Sequence, residues 1–96
     1  MKGRHRGKNN ESAELYKAFL KLKSVEEVKR FLRDLCTLEE IIEFSKRWQA
    51  VRLLAQHKPY HEVASKTGLS STTVARVAYW LNNGAGGYQL VLKRIK

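Results

Sequence analysis

The residues with most chemistry to offer lie between Tyr60 and Tyr79. Ser70, Ser71, Thr72 and Thr73 place four hydroxyls in a row, and Arg76 follows. If a helix starts there, Ser71, Thr72, Ala75, Arg76, Tyr79 and Asn83 share the side opposite Val74, Val77 and Leu81. Short hydroxyls and a guanidinium on an acid-free face can bond phosphate oxygens, and an arginine can fork onto a guanine edge. Lys58 and Lys66 flank the segment and suit phosphate contacts. The preceding residues meet the demands of a steep turn between two helices. Ala64 is small where the helices would touch, Gly68 accepts a positive φ, and Leu69 can plug the angle. The spacing predicts a helix-turn-helix over about residues 59–82. Ser70, Ser71, Thr72, Thr73, Ala75, Arg76, Tyr79, Lys58 and Lys66 are its candidate contacts to double-stranded DNA.

Other chemistry is sparse. His57 and His61 are four apart, but Pro59 stands between them and breaks a shared helix face, so no metal site is expected. Cys36 has no second cysteine to pair with and reads as a small buried hydrophobe in a reducing cytoplasm. No Ser-His-Asp set or carboxylate pair suggests catalysis. Glu39, Glu40 and Glu43 fit the first turn of a helix, where the dipole favours acids. Gly84, Gly86 and Gly87 lack the strand context of a phosphate loop, and no cofactor is expected.

The charge is uneven. The chain of 96 residues carries 19 Lys and Arg against 9 Asp and Glu, a formal +10. Residues 1–10 hold four bases and no acid; 11–57 hold nine bases and eight acids; 58–96 hold six bases and Glu62 alone. Excess charge at both ends suits a polyanion, through release of condensed counterions. Lys2, Arg4, Arg6 and Lys8, with Gly3 and Gly7, read as a flexible basic arm over residues 1–10. No apolar run is long enough to span a bilayer, so no membrane partner is expected. The length leaves room for one helical domain over 11–96.

The elements that must position the site read as helices throughout. A first helix covers about 11–23, with Leu15, Phe19 and Leu22 on one stripe. Ser24 to Glu27 matches a capping box. The helix it opens sets Val25, Val28, Leu32 and Leu35 at the spacing of one buried face. Thr37 to Glu40 repeats the box before a third helix to about Gln56. That helix is apolar on more than one side, with Ile41, Phe44, Trp48, Val51 and Ala55 on one stripe and Leu38, Ile42, Leu53 and Leu54 partly off it. Such a helix is expected to be contacted from several sides, including by a second chain. Short helices over about 59–66 and 71–82 follow, the latter capped by Ser70 or Ser71. Asn83 to Gly87 forms a flexible stop, and Tyr88 to Ile95 forms a last short helix, with a strand as the alternative.

Arg47-Trp48-Gln49, Leu53-Leu54-Ala55, the helix-turn-helix, Asn82-Asn83-Gly84 and Gly86-Gly87-Tyr88 together resemble the YerC/YecD-type branch of the Trp-repressor superfamily. The likeness spans roughly residues 13–92. It implies an all-α, six-helix, intertwined homodimer and a bacterial, nucleoid-associated transcriptional regulator. It also implies a ligand pocket in which two arginines hold an indole, with a serine near the ligand's amino end. Aligned on Gly68, Arg76 matches one arginine, and Lys46, or Arg47 with a one-residue shift, matches the other. Trp80 stands in place of the serine. Lys46, Arg47, Arg76 and Trp80 are therefore expected to form a vestigial pocket that Trp80 fills or obstructs. Free tryptophan is not expected to regulate the protein, and any other effector is unassigned.

Two further classes compete with the sequence-specific regulator. A basic chain also suits RNA or the ribosome, but single-stranded RNA readers present stacking rings, whereas Trp48 and Trp80 read as internal. A dimeric interaction module that no longer touches nucleic acid is the third. An enzyme is the least favoured reading.

Overall fold

The computed structural model describes the backbone of residues 2–95 and the side chains of residues 10–95. Six helices follow in order: α1 Lys2–Phe19, α2 Val25–Leu35, α3 Leu38–Ala55, α4 Tyr60–Thr67, α5 Ser71–Asn83 and α6 Gly87–Arg94. Among the described residues there is no strand, and the C-terminal segment that admitted either reading is helical. The fold is all-α. Its contacts divide it into two compact units, Met1–Leu38 and Glu39–Lys96.

In the first unit α1 begins at Lys2, well before the expected start near residue 11, and stops at Phe19 rather than near 23. The side chains of Lys2, Arg4, Arg6 and Lys8 lie outside the described residues. Three tightening bonds close α1: Leu20 N–H to Lys17 O, Lys21 N–H to Ala18 O and Leu22 N–H to Phe19 O. The capping box before α2 forms with a shift. Ser24 Oγ accepts from Glu27 N–H at 3.1 Å, and the Glu27 carboxylate reaches back to the N–H of Lys23, not of Ser24, at 2.8 Å. Phe19 and Phe31 meet edge to face, with centroids 5.3 Å apart.

The buried face expected on α2 is not buried within the chain. No described side chain before Ala50 is buried. Val25 is 85% exposed and Leu35 47% exposed. The periodicity is real, but two helices offer too little surface to cover an apolar stripe on each. The same holds for the first half of α3, where Leu38, Ile42 and Phe44 are exposed.

The second unit holds the core. Ala50 and Val51 of α3 pack with Val63 of α4, Leu69 of the turn, and Val74, Val77 and Leu81 of α5. Trp48, Leu53, Leu54, Ala64, Tyr88 and Leu92 border it, partly buried. The end of α3 explains the chain reversal before α4. His57 N–H bonds Leu54 O at 2.9 Å and Lys58 N–H bonds Leu53 O at 3.2 Å, a Schellman pair. That pair puts a left-handed residue at position 57, where φ is 63°. Pro59 then stands at the N-cap of α4, and its carbonyl takes the N–H groups of Glu62 and Val63.

A side chain in the left-handed region carries a steric cost that glycine avoids, partly offset by glycine's larger unfolded entropy. His57→Gly is expected to stabilise the fold by about 0.5–1 kcal/mol. Urea unfolding at fixed protein concentration checks it; an unchanged or lower midpoint contradicts the reading of this cap.

Candidate nucleic-acid interface

Three residues, Gly68, Leu69 and Ser70, join α4 to α5. Gly68 takes φ 79° and ψ 5°, and its N–H closes α4 on Ala64 O at 2.9 Å. The buried Thr67 hydroxyl sits inside the bend. It donates to Val63 O at 2.8 Å and accepts from Leu69 N–H at 3.2 Å, so the turn amide is satisfied away from water. Leu69 is buried, and Val63, Val74 and Val77 are fully so. Lys46 of α3 lies over the turn, its Nζ 3.7 Å from where a Cβ on residue 68 would stand.

Ser70 caps α5. Its Oγ accepts from Thr73 N–H at 3.1 Å and donates to the Thr73 hydroxyl at 3.0 Å. These two hydroxyls thus hold the helix start, leaving Ser71 and Thr72 exposed in the first turn. With Val74, Val77 and Leu81 turned inward, Ala75, Arg76, Tyr79 and Asn83 are exposed along the rest of the face. Arg76 has no ion-pair or hydrogen-bond partner among the described residues.

The flanking lysines differ. Lys66 pairs with Glu62 at 3.1 Å across one turn of α4. That hydrogen bond, ahead of the nearby charges of Lys66, Lys58 and His61, holds the Glu62 carboxyl below the ordinary carboxylate range. Lys58 is half-buried and carries no ion pair among the described residues.

Of the four expected pocket residues, the structure brings two together. The Arg47 guanidinium lies 5.6 Å from the centre of the Trp80 ring, within cation–π range, while its Nε pairs with Glu43 at 3.2 Å. Lys46 faces the turn instead, and Arg76 stands free on α5. Trp80, expected to be internal, is instead 39% exposed. It borders an apolar cleft of about 520 Å³ with Trp48, Tyr88, Val91 and the loop of residues 84–87. The ring falls outside the Val74–Val77–Leu81 stripe, so the core does not reach it. Trp48 is half-buried against Tyr88.

Sequence reasoning missed Thr67 and the seat of Lys46. Thr67 did carry a signal: a hydroxyl just before a left-handed glycine can reach across the turn. The position of Lys46 depends on how α3 lies against the turn, which no local pattern encodes.

The sequence matches the family described as Trp repressor protein over residues 10–96. This chain belongs to the Trp repressor family. Within it, the chain is 40% identical to YerC, an uncharacterized protein of Bacillus subtilis (strain 168), over 95% of this chain and 86% of that one. Two solved structures are similar. A TrpR-like protein from Eubacterium eligens ATCC 27750 gives a TM-score of 0.82 at 38% identity, covering 86% of each chain. A putative Trp repressor from Staphylococcus aureus gives 0.85 at 34% identity, covering 90% of this chain and 86% of that one. The Trp repressor fold is thus shared over nearly the whole chain, both compact units included.

Among the described residues, no cluster of His, Cys, Asp and Glu could hold a metal ion, and no helix is long and apolar enough to cross a membrane.

Thr67→Val keeps the shape of the side chain but leaves the buried Leu69 N–H unpaired. It is expected to cost about 1–3 kcal/mol in urea unfolding, with Thr67→Ser close to the native protein. Equal stability of the Val variant would show that the turn amide finds another partner.

Proposed function

We propose that this protein is a sequence-specific DNA-binding transcriptional regulator that acts as a homodimer. In this reading α4, the Gly68 turn and α5 form a helix-turn-helix, and α5 enters the major groove. The observation that carries it is the exposed face of α5: hydroxyls at Ser71 and Thr72, then an unpaired Arg76, with no acid from residue 63 to the end of the chain. Membership of the Trp repressor family supports the same reading. Arg76, Ser71, Thr72 and Tyr79 address base edges and nearby phosphates. Ser70 and Thr73 set the helix start, where their remaining hydrogen-bonding capacity faces the same backbone. Lys66 and Lys58 serve the phosphates, with Lys66 exchanging Glu62 for the polyanion.

The dimer is supported by the unburied apolar stripes of α1, α2 and early α3. A second copy gives those stripes the cover that the chain lacks. A two-fold pair sets its reading helices one DNA turn, about 34 Å, apart. We further propose a bacterial cytoplasmic, nucleoid-associated setting, no catalytic activity and no regulation by tryptophan. Trp80 occupies the place of the ligand-binding serine, and Arg47 stacks on it rather than on a free indole.

One observation favours an RNA-binding alternative. Tyr79 and Trp80 are adjacent and exposed, at 62% and 39%, and exposed rings suit base stacking. Competition between duplex DNA and structured RNA separates the two readings.

In-vitro site selection is expected to yield a pseudo-palindrome with half-sites one helical turn apart; only uniform weak binding to all DNA would overturn the proposal. On the selected site, Arg76→Ala should cost about 1–3 kcal/mol and relax specificity at one base step. An equal loss on every sequence would reduce Arg76 to a phosphate contact. Calorimetry with L-tryptophan should show no saturable heat, and micromolar binding would refute the role given to Trp80.

A further inference from the structure

The Arg47 guanidinium is held on two sides. Its Nε donates to Glu43 at 3.2 Å along α3, and the group lies over the Trp80 ring of α5, 5.6 Å from its centre. Among the described residues this is the one cation–π contact. Spacing shows which other cation the ring could take. Arg76 and Trp80 stand four apart on α5, the separation at which helical side chains are neighbours. A long side chain on a helix leans toward the preceding turn, which carries the indole back toward Arg76. Both residues are exposed. A tryptophan face is the best aromatic seat for a guanidinium, better than the face of Tyr79, three residues from Arg76. Yet Arg76 makes no ring contact, ion pair or hydrogen bond among the described residues. The seat is already taken. Glu43 pins Arg47 at Nε, so Arg47 gives up little further rotamer freedom to cover the ring, whereas Arg76 would give up all of its own.

We propose that Arg47 is a positioning residue for Arg76. By covering the Trp80 face it keeps Arg76 from folding back onto its own helix and leaves that guanidinium extended. Glu43 acts one step further back, by pinning Arg47. The use of the extended Arg76 on a base edge rests on the DNA-binding proposal; the competition of two arginines for one ring does not.

The first arm of the test needs no DNA. In NMR spectra of the full-length protein, Arg47→Met should move the side-chain methylene protons of Arg76 upfield, as the vacated indole shields them. Adding Trp80→Leu should abolish that shift, which separates the indole from Tyr79. The second arm compares the selected DNA site with the same site altered at the base step read by Arg76. A guanidinium on an exposed ring is favoured about two- to fivefold over a free one. Arg47→Met should therefore weaken binding to the selected site by roughly that factor, because a smaller fraction of Arg76 is extended. The altered site, which offers Arg76 no partner base, should lose little, so discrimination falls. The double variant Arg47→Met/Trp80→Leu should recover the discrimination although it still lacks the Arg47 charge. Circular dichroism checks that each variant folds. Glu43→Gln, which unpins Arg47 without removing it, is the second variant and should move the Arg76 protons in the same direction. Arg76 protons that stay in place in both variants, or a shift that survives the loss of Trp80, would overturn the proposal. So would a double variant that discriminates no better than Arg47→Met, since plain loss of charge or packing would then suffice. The expected shifts in a protein that selects no DNA site would leave the competition standing and remove only its use in recognition. Site selection without the shifts would do the reverse.

Discussion

The structure depends on one bend in the backbone. At Gly68 the chain enters the left-handed region, ends α4 and redirects into α5. A redirected chain must still satisfy its amides, and here the buried Thr67 hydroxyl does so, tying Val63 O to Leu69 N–H. Leu69 then closes the angle from inside. With Val63, Val74 and Val77 fixed below the bend, the opposite side of α5 has nowhere to face but outward. The exposure of Arg76 is thus a consequence of packing beneath it.

A second constraint is the uneven distribution of burial. The buried residues run from Ala50 to Leu81, and none of the described side chains before Ala50 joins them. A small chain has little apolar volume to divide, and this one concentrates it under the turn. The helices α1 and α2 retain amphipathic stripes without cover. This imbalance is the physical motive for the proposed pairing with a second copy, in which apolar area exposed in one chain becomes area removed from water in two.

Electrostatics sharpen the same asymmetry. In the second unit the acids Glu43 and Glu62 each hold a base, Arg47 and Lys66. Beyond Glu62 the sequence has no Asp or Glu, and Arg76 has no ion-pair partner among the described residues. Trp80 adds a separate feature: its ring takes the Arg47 guanidinium on the later part of α5.

Much of this was legible because it is local. The bend needs Gly68, the caps need Ser24 and Ser70, and the inward stripe of α5 needs Val74, Val77 and Leu81; each rests on spacing within a few residues. Locality also explains the ambiguities. Leu90-Val91-Leu92 fits a short strand or a short helix, and only packing beside α5 chose the helix. The left-handed His57 gave no sign, since that position usually calls for glycine or asparagine. The valines of α2 have the period of a buried face, yet periodicity says which side is apolar and not what covers it. Trp80 read as internal because it is large and apolar, but its depth depends on how far the core extends along α5. The sequence by itself determined the helices α2 to α5, the turn and the acid-free face. Tertiary structure decided which apolar faces are buried and where Lys46 and Arg47 rest, because those outcomes depend on residues distant in the chain meeting in space.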